Sequence, residues 1–253
     1  MTNSVWRLIP LLQASGTVQM AIDQWLLEQH LAGKIPPTLR FYTWAPATIS
    51  LGYHQRRWPD FWEQLSWRGM SVDLVRRPSG GRAVLHQGDL TYAVVVSGLA
   101  GSRLEAYQNI CQFLIEGWKA MGVDLHYGEA GRNYIHNPNC FGTATGADLV
   151  TPDGYKLIGS AQLRRGDAIL QHGSMRLLPD FDLFYQVFGE ELITIKLPLD
   201  QEGNDLMETV IEALKMAACR CFEIHLEVQP LSEREWSEIR SIPVALIGSI
   251  PIL

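Results

Sequence analysis

What most constrains this chain is the irregular order in which its apolar spacing switches between helical and strand-like periods. From Thr17 to Leu31 the residues Val18, Ala21, Ile22, Trp25, Leu26 and Leu27 recur at helical spacing, and Gly33 with Pro36-Pro37 closes the run. Leu39 to Tyr42 and Thr48 to Leu51 are short, aromatic or β-branched runs split by Ala45-Pro46, so the pattern predicts two strands joined by a turn. Trp58 to Arg68 reads as helical. Val72 to Val75, Ala83 to His86 and Thr91 to Val96 read as strands, broken by Pro78-Ser79-Gly80-Gly81 and by Gln87-Gly88-Asp89. Leu104 to Met121 is a second amphipathic helix that Gly122 can stop. Tyr155 to Leu163 and Ala168 to Leu177 form a hairpin around Gly166-Asp167, and after Pro198 the pattern is helical over Asp205 to Cys221 and Glu233 to Ile239. No regular βαβ alternation and no internal repeat is present, which points to an α+β fold, a mixed β-sheet with packed helices, instead of a doubly wound array.

A chain of 253 residues, 47% of them apolar, can bury a full core. We expect one catalytic body over residues 1–198, with residues 199–253 forming a helical extension packed on it. The net charge of -6 argues against a nucleic-acid partner or a polybasic membrane anchor. Cys111, Cys140, Cys219 and Cys221 are too few and too irregular for a disulfide framework. Met1 to Gln13 lacks the features of a signal peptide, so a cytoplasmic protein is expected. Cys219 and Cys221 fall two apart on a helix and face apart, so no zinc site with His225 is expected.

Three stretches place glycines, cations and hydrogen-bonding groups together. In Arg76-Arg77-Pro78-Ser79-Gly80-Gly81-Arg82, adjacent glycines let backbone N–H groups approach a carbonyl or phosphate oxygen, although a solvated hairpin would use the same residues. The run from Gly128 to Gly146 has no periodicity and carries Cys140 among polar neighbours, where a thiol is more reactive than a core cysteine such as Cys111. On the strand Tyr155 to Gln162, alternation puts Lys156, Ile158, Ser160 and Gln162 on one face. Lys156 fits either an edge-strand charge or a functional ammonium, and Gly159 marks a close approach by a ligand or another backbone. A Cys–Lys pair suffices energetically for nucleophilic chemistry. Lowering a thiol pKa by about two units needs about 2.7 kcal/mol, and an ammonium ~4 Å away contributes about 4 kcal/mol at an effective dielectric near 20.

Together with Gly16 to Asp23, Pro46 to Gly52 and Leu170-Gln171-His172-Gly173-Ser174, these stretches resemble the biotin and lipoate protein ligase superfamily. Within it the chain is most similar to the cysteine-dependent octanoyltransferases. The resemblance implies a class II synthetase-like core, a thioester on Cys140, and Lys156 as the lysine that activates it and contacts the acyl carbonyl. Arg77, Gly80, Gly81 and His86 would line an acyl tunnel, with Gly159 and Ala161 on its far wall. The donor would be octanoyl-acyl carrier protein, and the acceptor a lysine of a lipoyl domain or glycine-cleavage H protein. No cofactor or metal would be needed, and neither nucleic acid nor a membrane would be a partner. Arg82 stands where the ligases usually carry a third glycine, which favours transfer over adenylation. The related alternatives are an ATP-dependent lipoate-protein ligase and an octanoyl amidotransferase acting between carrier proteins.

Overall fold

The computed structural model describes residues 4–128, 148–193, 197–199 and 203–244. Strand β1 (Ser4–Ala14) leads into α1 (Gly16–Leu31), β2 (Thr38–Trp44) and β3 (Thr48–Leu51). A 3-10 turn at Asp60–Gln64 precedes β4 (Ser66–Trp67), β5 (Met70–Ser71), β6 (Asp73–Arg76), β7 (Val84–His86) and β8 (Asp89–Val96). Helix α2 (Arg103–Ala120) and strand β9 (His126–Tyr127) follow. The chain continues through β10 (Asp148–Val150), β11 (Lys156–Arg165), β12 (Ala168–Arg176) and α3 (Phe181–Phe188). It then forms α4 (Gly203–Cys221), β13 (Ile224–Val228) and α5 (Glu233–Arg240).

The architecture is the mixed α+β one expected from the element order. The main sheet runs β13-β1-β2-β8-β12-β11-β10-β9, and a smaller sheet runs β6-β3-β7. In the main sheet β1 lies parallel to β13 and β2, while the strands from β2 to β9 pair antiparallel. Strand alternation divides its side chains between two cores. Leu39, Phe41, Tyr92 and Val94 meet Ile110, Leu114 and Trp118 of α2 and Leu214 of α4. On the opposite face Tyr42, Val95 and Leu170 meet Ile22, Trp25 and Leu26 of α1 and Ile239 of α5.

Helix α2 begins with a full capping box, in which Ser102 and Glu105 satisfy each other's backbone N–H groups. The same device at Ser232 and Glu235 starts α5, where Glu235 also receives Arg7 of β1 at 2.7 Å. The tail therefore joins the sheet at two places, because β13 adds itself in parallel beside β1.

The region expected to be a helix over Trp58 to Arg68 is not one. Only Asp60–Gln64 turns, and Arg68 and Gly69, both at positive φ, reverse the chain into the β4–β5 hairpin. Trp62 is fully buried there, its indole N–H donating to the Val187 carbonyl at 2.9 Å, so its apolar character serves the packing of the small sheet against α3. Helix α3 itself was not anticipated, although Asp180 caps its start and Gly189, at φ 68°, ends it.

Candidate active site

Lys156 opens β11, which lies between β12 and β10, so it is not an edge-strand charge. Its ammonium is buried and paired with the Asp148 carboxylate of β10 at 2.8 Å. The β10–β11 register explains how it gets there. Leu149 pairs with Ile158 but Val150 pairs with Lys156, so the register shifts within two residues and the parity of the strand changes. Ile158 therefore packs into the α2 core, whereas Lys156 shares the opposite face with Gly159 and Ala161, and the simple alternation read from sequence fails at this irregularity. Gly159 is small for a reason visible in the geometry. A Cβ there would come within 3.1 Å of Lys156 Cε and 3.7 Å of Asp148 Oδ1, so the residue that approaches closely is the lysine of the same strand.

Two histidine relays tie the small sheet to the main one. His86 on β7 donates from Nδ1 to Asp89 Oδ2 at 2.8 Å, which leaves Nε2 to accept from the Ser50 hydroxyl at 2.8 Å. Asp89 Oδ2 also accepts from Thr91 and Ser174. Burial depresses the His86 pKa despite the opposing pull of Asp89, so the ring is neutral, and it stacks on Trp44 with centroids 3.9 Å apart. In the second relay Asp23 of α1 contacts His172 Nδ1 at 2.7 Å, and His172 Nε2 lies 2.5 Å from the Ser79 hydroxyl. The Asp23 carboxylate also accepts from Tyr42 and pairs with Arg40.

These relays fix the loop from Pro78 to Gly81. Arg77 folds back over it, donating to the carbonyls of Ser50, Gly80 and Arg82, so its guanidinium shapes the loop as well as charging it. The Gly81 carbonyl rests directly on Gly52, where a Cβ would collide with it at 1.8 Å. Between the two sheets lies a cavity of about 600 Å³ including its open mouth. Its wall combines apolar Met20, Trp44 and Val84 with the Asp148–Lys156 pair.

Of the residues singled out from sequence, Arg77, Gly81, His86, Lys156, Gly159 and Ala161 all border this cavity. Gly80 borders an adjoining groove that shares Met20 and Arg77 with it. Cys140 and most of its loop lie outside the described residues. Sequence reasoning gave no role to Asp148, Asp23, Asp89 or Ser79. The signal for Asp148 was the polar turn between Val150 and Tyr155, which pairs β10 with β11 and sets Asp148 opposite Gly159. Asp89 lies only three residues from His86, but Asp23 and His172 are 149 apart and Ser174 and Asp89 are 85 apart, and only the fold joins those.

A largely apolar, open-mouthed cavity between two sheets, with a buried, carboxylate-paired lysine in its wall, fits a domain of the acyl-ligase and acyltransferase type. The chain belongs to the lipoyl protein ligase A/B catalytic domain family, whose model matches residues 15–198. It is 38% identical over 250 residues to octanoyltransferase LipM of Anoxybacillus flavithermus, covering 90% of this chain and 89% of that one. It is 35% identical over 263 residues to octanoyltransferase LipM of Bacillus subtilis, covering 93% and 92%. Among solved structures, the bi-partite lipoate protein ligase of Thermoplasma acidophilum, studied with its E2 lipoyl domain, shares the fold at a TM-score of 0.71 and 20% identity, covering 94% of this chain and 91% of that one.

Proposed function

We propose that this chain is an acyltransferase that moves an octanoyl group from an acyl carrier protein thioester to a lysine of a lipoyl domain or glycine-cleavage H protein through a thioester on Cys140. Two features support the reading: similarity to octanoyltransferases across about nine-tenths of the chain, and an apolar cavity bordered by a buried lysine. The second carries the chemistry.

In the first half-reaction the Cys140 thiolate attacks the donor carbonyl, the new C–S bond forms, and the carrier thiol leaves with the electron pair of the old one. The Lys156 ammonium lowers the cost of the thiolate and of the oxyanion that forms on the acyl carbonyl. In the second, the acceptor amine attacks the acyl-cysteine, the C–S bond breaks, and the proton lost by nitrogen returns to sulfur. Asp148 holds the Lys156 side chain in place through both steps. Arg77, Gly80, Gly81 and His86 shape one wall of the acyl site, with Gly159 and Ala161 opposite.

Replacing Cys140 by serine separates catalysis from mere binding. The variant is expected to bind octanoyl-carrier protein while losing octanoylation of the acceptor. Undiminished transfer by Cys140→Ser would remove the covalent step from the mechanism, and retained affinity in the variant with no transfer by either chain would favour a non-catalytic binder.

A further inference from the structure

The groove next to the cavity is strongly basic on an acidic chain. Arg76, Arg77, Arg103, Arg164 and Arg165 line it with His54, and among the described residues no carboxylate does, although the whole chain carries 27 Asp and Glu against 21 Lys and Arg. Some of this charge is already used. Arg76 donates to the Gly52 and Gln55 carbonyls, and Arg165 pairs with Glu28 at 3.2 Å. Arg103 and Arg164, by contrast, have no carboxylate partner among the described residues, and Arg164 Nη2 is shielded from water without an acceptor. Arg103 also sits in the first turn of α2, where the helix dipole disfavours a cation. Arg76 is held below its ordinary pKa by partial burial and by the nearness of Arg56, so like charges are crowded here. Such crowding is relieved by a bound anion, and guanidinium groups match phosphate oxygens in geometry.

Met20 and Arg77 border both spaces, with Gly81 on the inner side and Gly80 on the outer, so the cavity and the groove adjoin each other. We propose that the groove holds the phosphodiester of a phosphopantetheine arm while the acyl chain that the arm carries occupies the inner cavity. This inference rests on the octanoyl-transfer reading above. The acceptor is the less suitable occupant, because its reacting lysine enters as a cation and an arginine-lined approach repels it.

The test compares the phosphorylated and unphosphorylated arm. Calorimetric titration with 4'-phosphopantetheine and with pantetheine is paired with acylation kinetics using the octanoyl thioester of each. The wild-type chain should prefer the phosphorylated form by about tenfold or more, the scale of one charge-assisted hydrogen bond. That ratio should fall toward one in Arg103→Gln/Arg164→Gln and be largely kept in Arg103→Lys/Arg164→Lys, with unchanged melting curves showing that both variants fold. Equal binding of the two arms to the wild type, or a preference that survives the double Gln substitution, would overturn the proposal. So would binding of ATP with the same arginine dependence in place of phosphopantetheine. A phosphate preference without any octanoyl on the enzyme would leave the groove assigned and sink the transfer reading. Acylation at equal efficiency from both thioesters would do the reverse.

Discussion

Lys156 and Asp148 form a buried charge pair in which the proposed function and stability can be tested together. Each is almost fully excluded from water, so removing one takes an opposite charge away from the other in a low-dielectric site. Lys156→Ala should abolish transfer and cost about 3–5 kcal/mol of folding stability, measured by denaturant unfolding. The double variant Lys156→Met/Asp148→Leu should recover most of that stability and none of the activity. Recovery of activity would show that the ammonium has no chemical part. His86 contributes a distinct pH dependence. Its folded pKa lies below the ordinary histidine value because burial disfavours the charged ring, so the unfolded chain binds the proton more readily. The stabilising contribution is therefore complete above about pH 6.5 and is lost as pH falls from there toward the folded value. Between those limits the loss approaches about 1.4 kcal/mol per pH unit. His86→Gln should flatten this slope in chemical melts between pH 5 and about pH 7; an unchanged slope would assign it to other groups. At this scale the residues bordering the cavity were legible mainly through the family resemblance, because a solvated hairpin or an edge-strand lysine would use the same residue types. The Asp23–His172–Ser79 relay was not legible, since no local pattern announces a contact between residues 149 apart.

The elements were readable where one period dominates and unreadable where the chain reverses quickly. Helices α1 and α2 and the β11–β12 hairpin follow their apolar spacing closely. Trp58 to Arg68 misled because its aromatic residues serve the small-sheet core, and the chain folds back at Arg68 and Gly69. The register shift in β11 is invisible to alternation, yet it decides that Lys156 faces the cavity. Glycine at 52 is an element-scale constraint of the same kind, joining the end of β3 to the loop before β7. Gly52→Ala forces the Gly81 carbonyl away from a Cβ that would otherwise sit 1.8 Å from it. Such overpacking typically costs about 1–3 kcal/mol. The expected outcome is a lower melting temperature together with a raised KM for the acyl donor. A variant with unchanged donor KM would show that the loop position does not matter to acyl binding.

For the whole molecule, the irregular order of elements was enough to exclude a doubly wound sheet, but not to order the strands. β13 joins the sheet beside β1 although more than two hundred residues separate them, and it has only five residues to signal itself. Among the described residues no helix is long and apolar enough to cross a membrane. The arrangement that emerges has two sheets clamped by histidine relays, a cavity between them and a buried lysine at its border; the proposed nucleophile Cys140 belongs in sequence to the stretch between β9 and β10, outside the described residues. The most direct measurement is the intact mass of the protein after incubation with octanoyl-loaded carrier protein in the absence of ATP, followed by peptide mapping. One octanoyl group, labile to hydroxylamine and located on Cys140, is the predicted result. An unmodified chain that instead exchanges labelled pyrophosphate into ATP in the presence of free octanoate would contradict it.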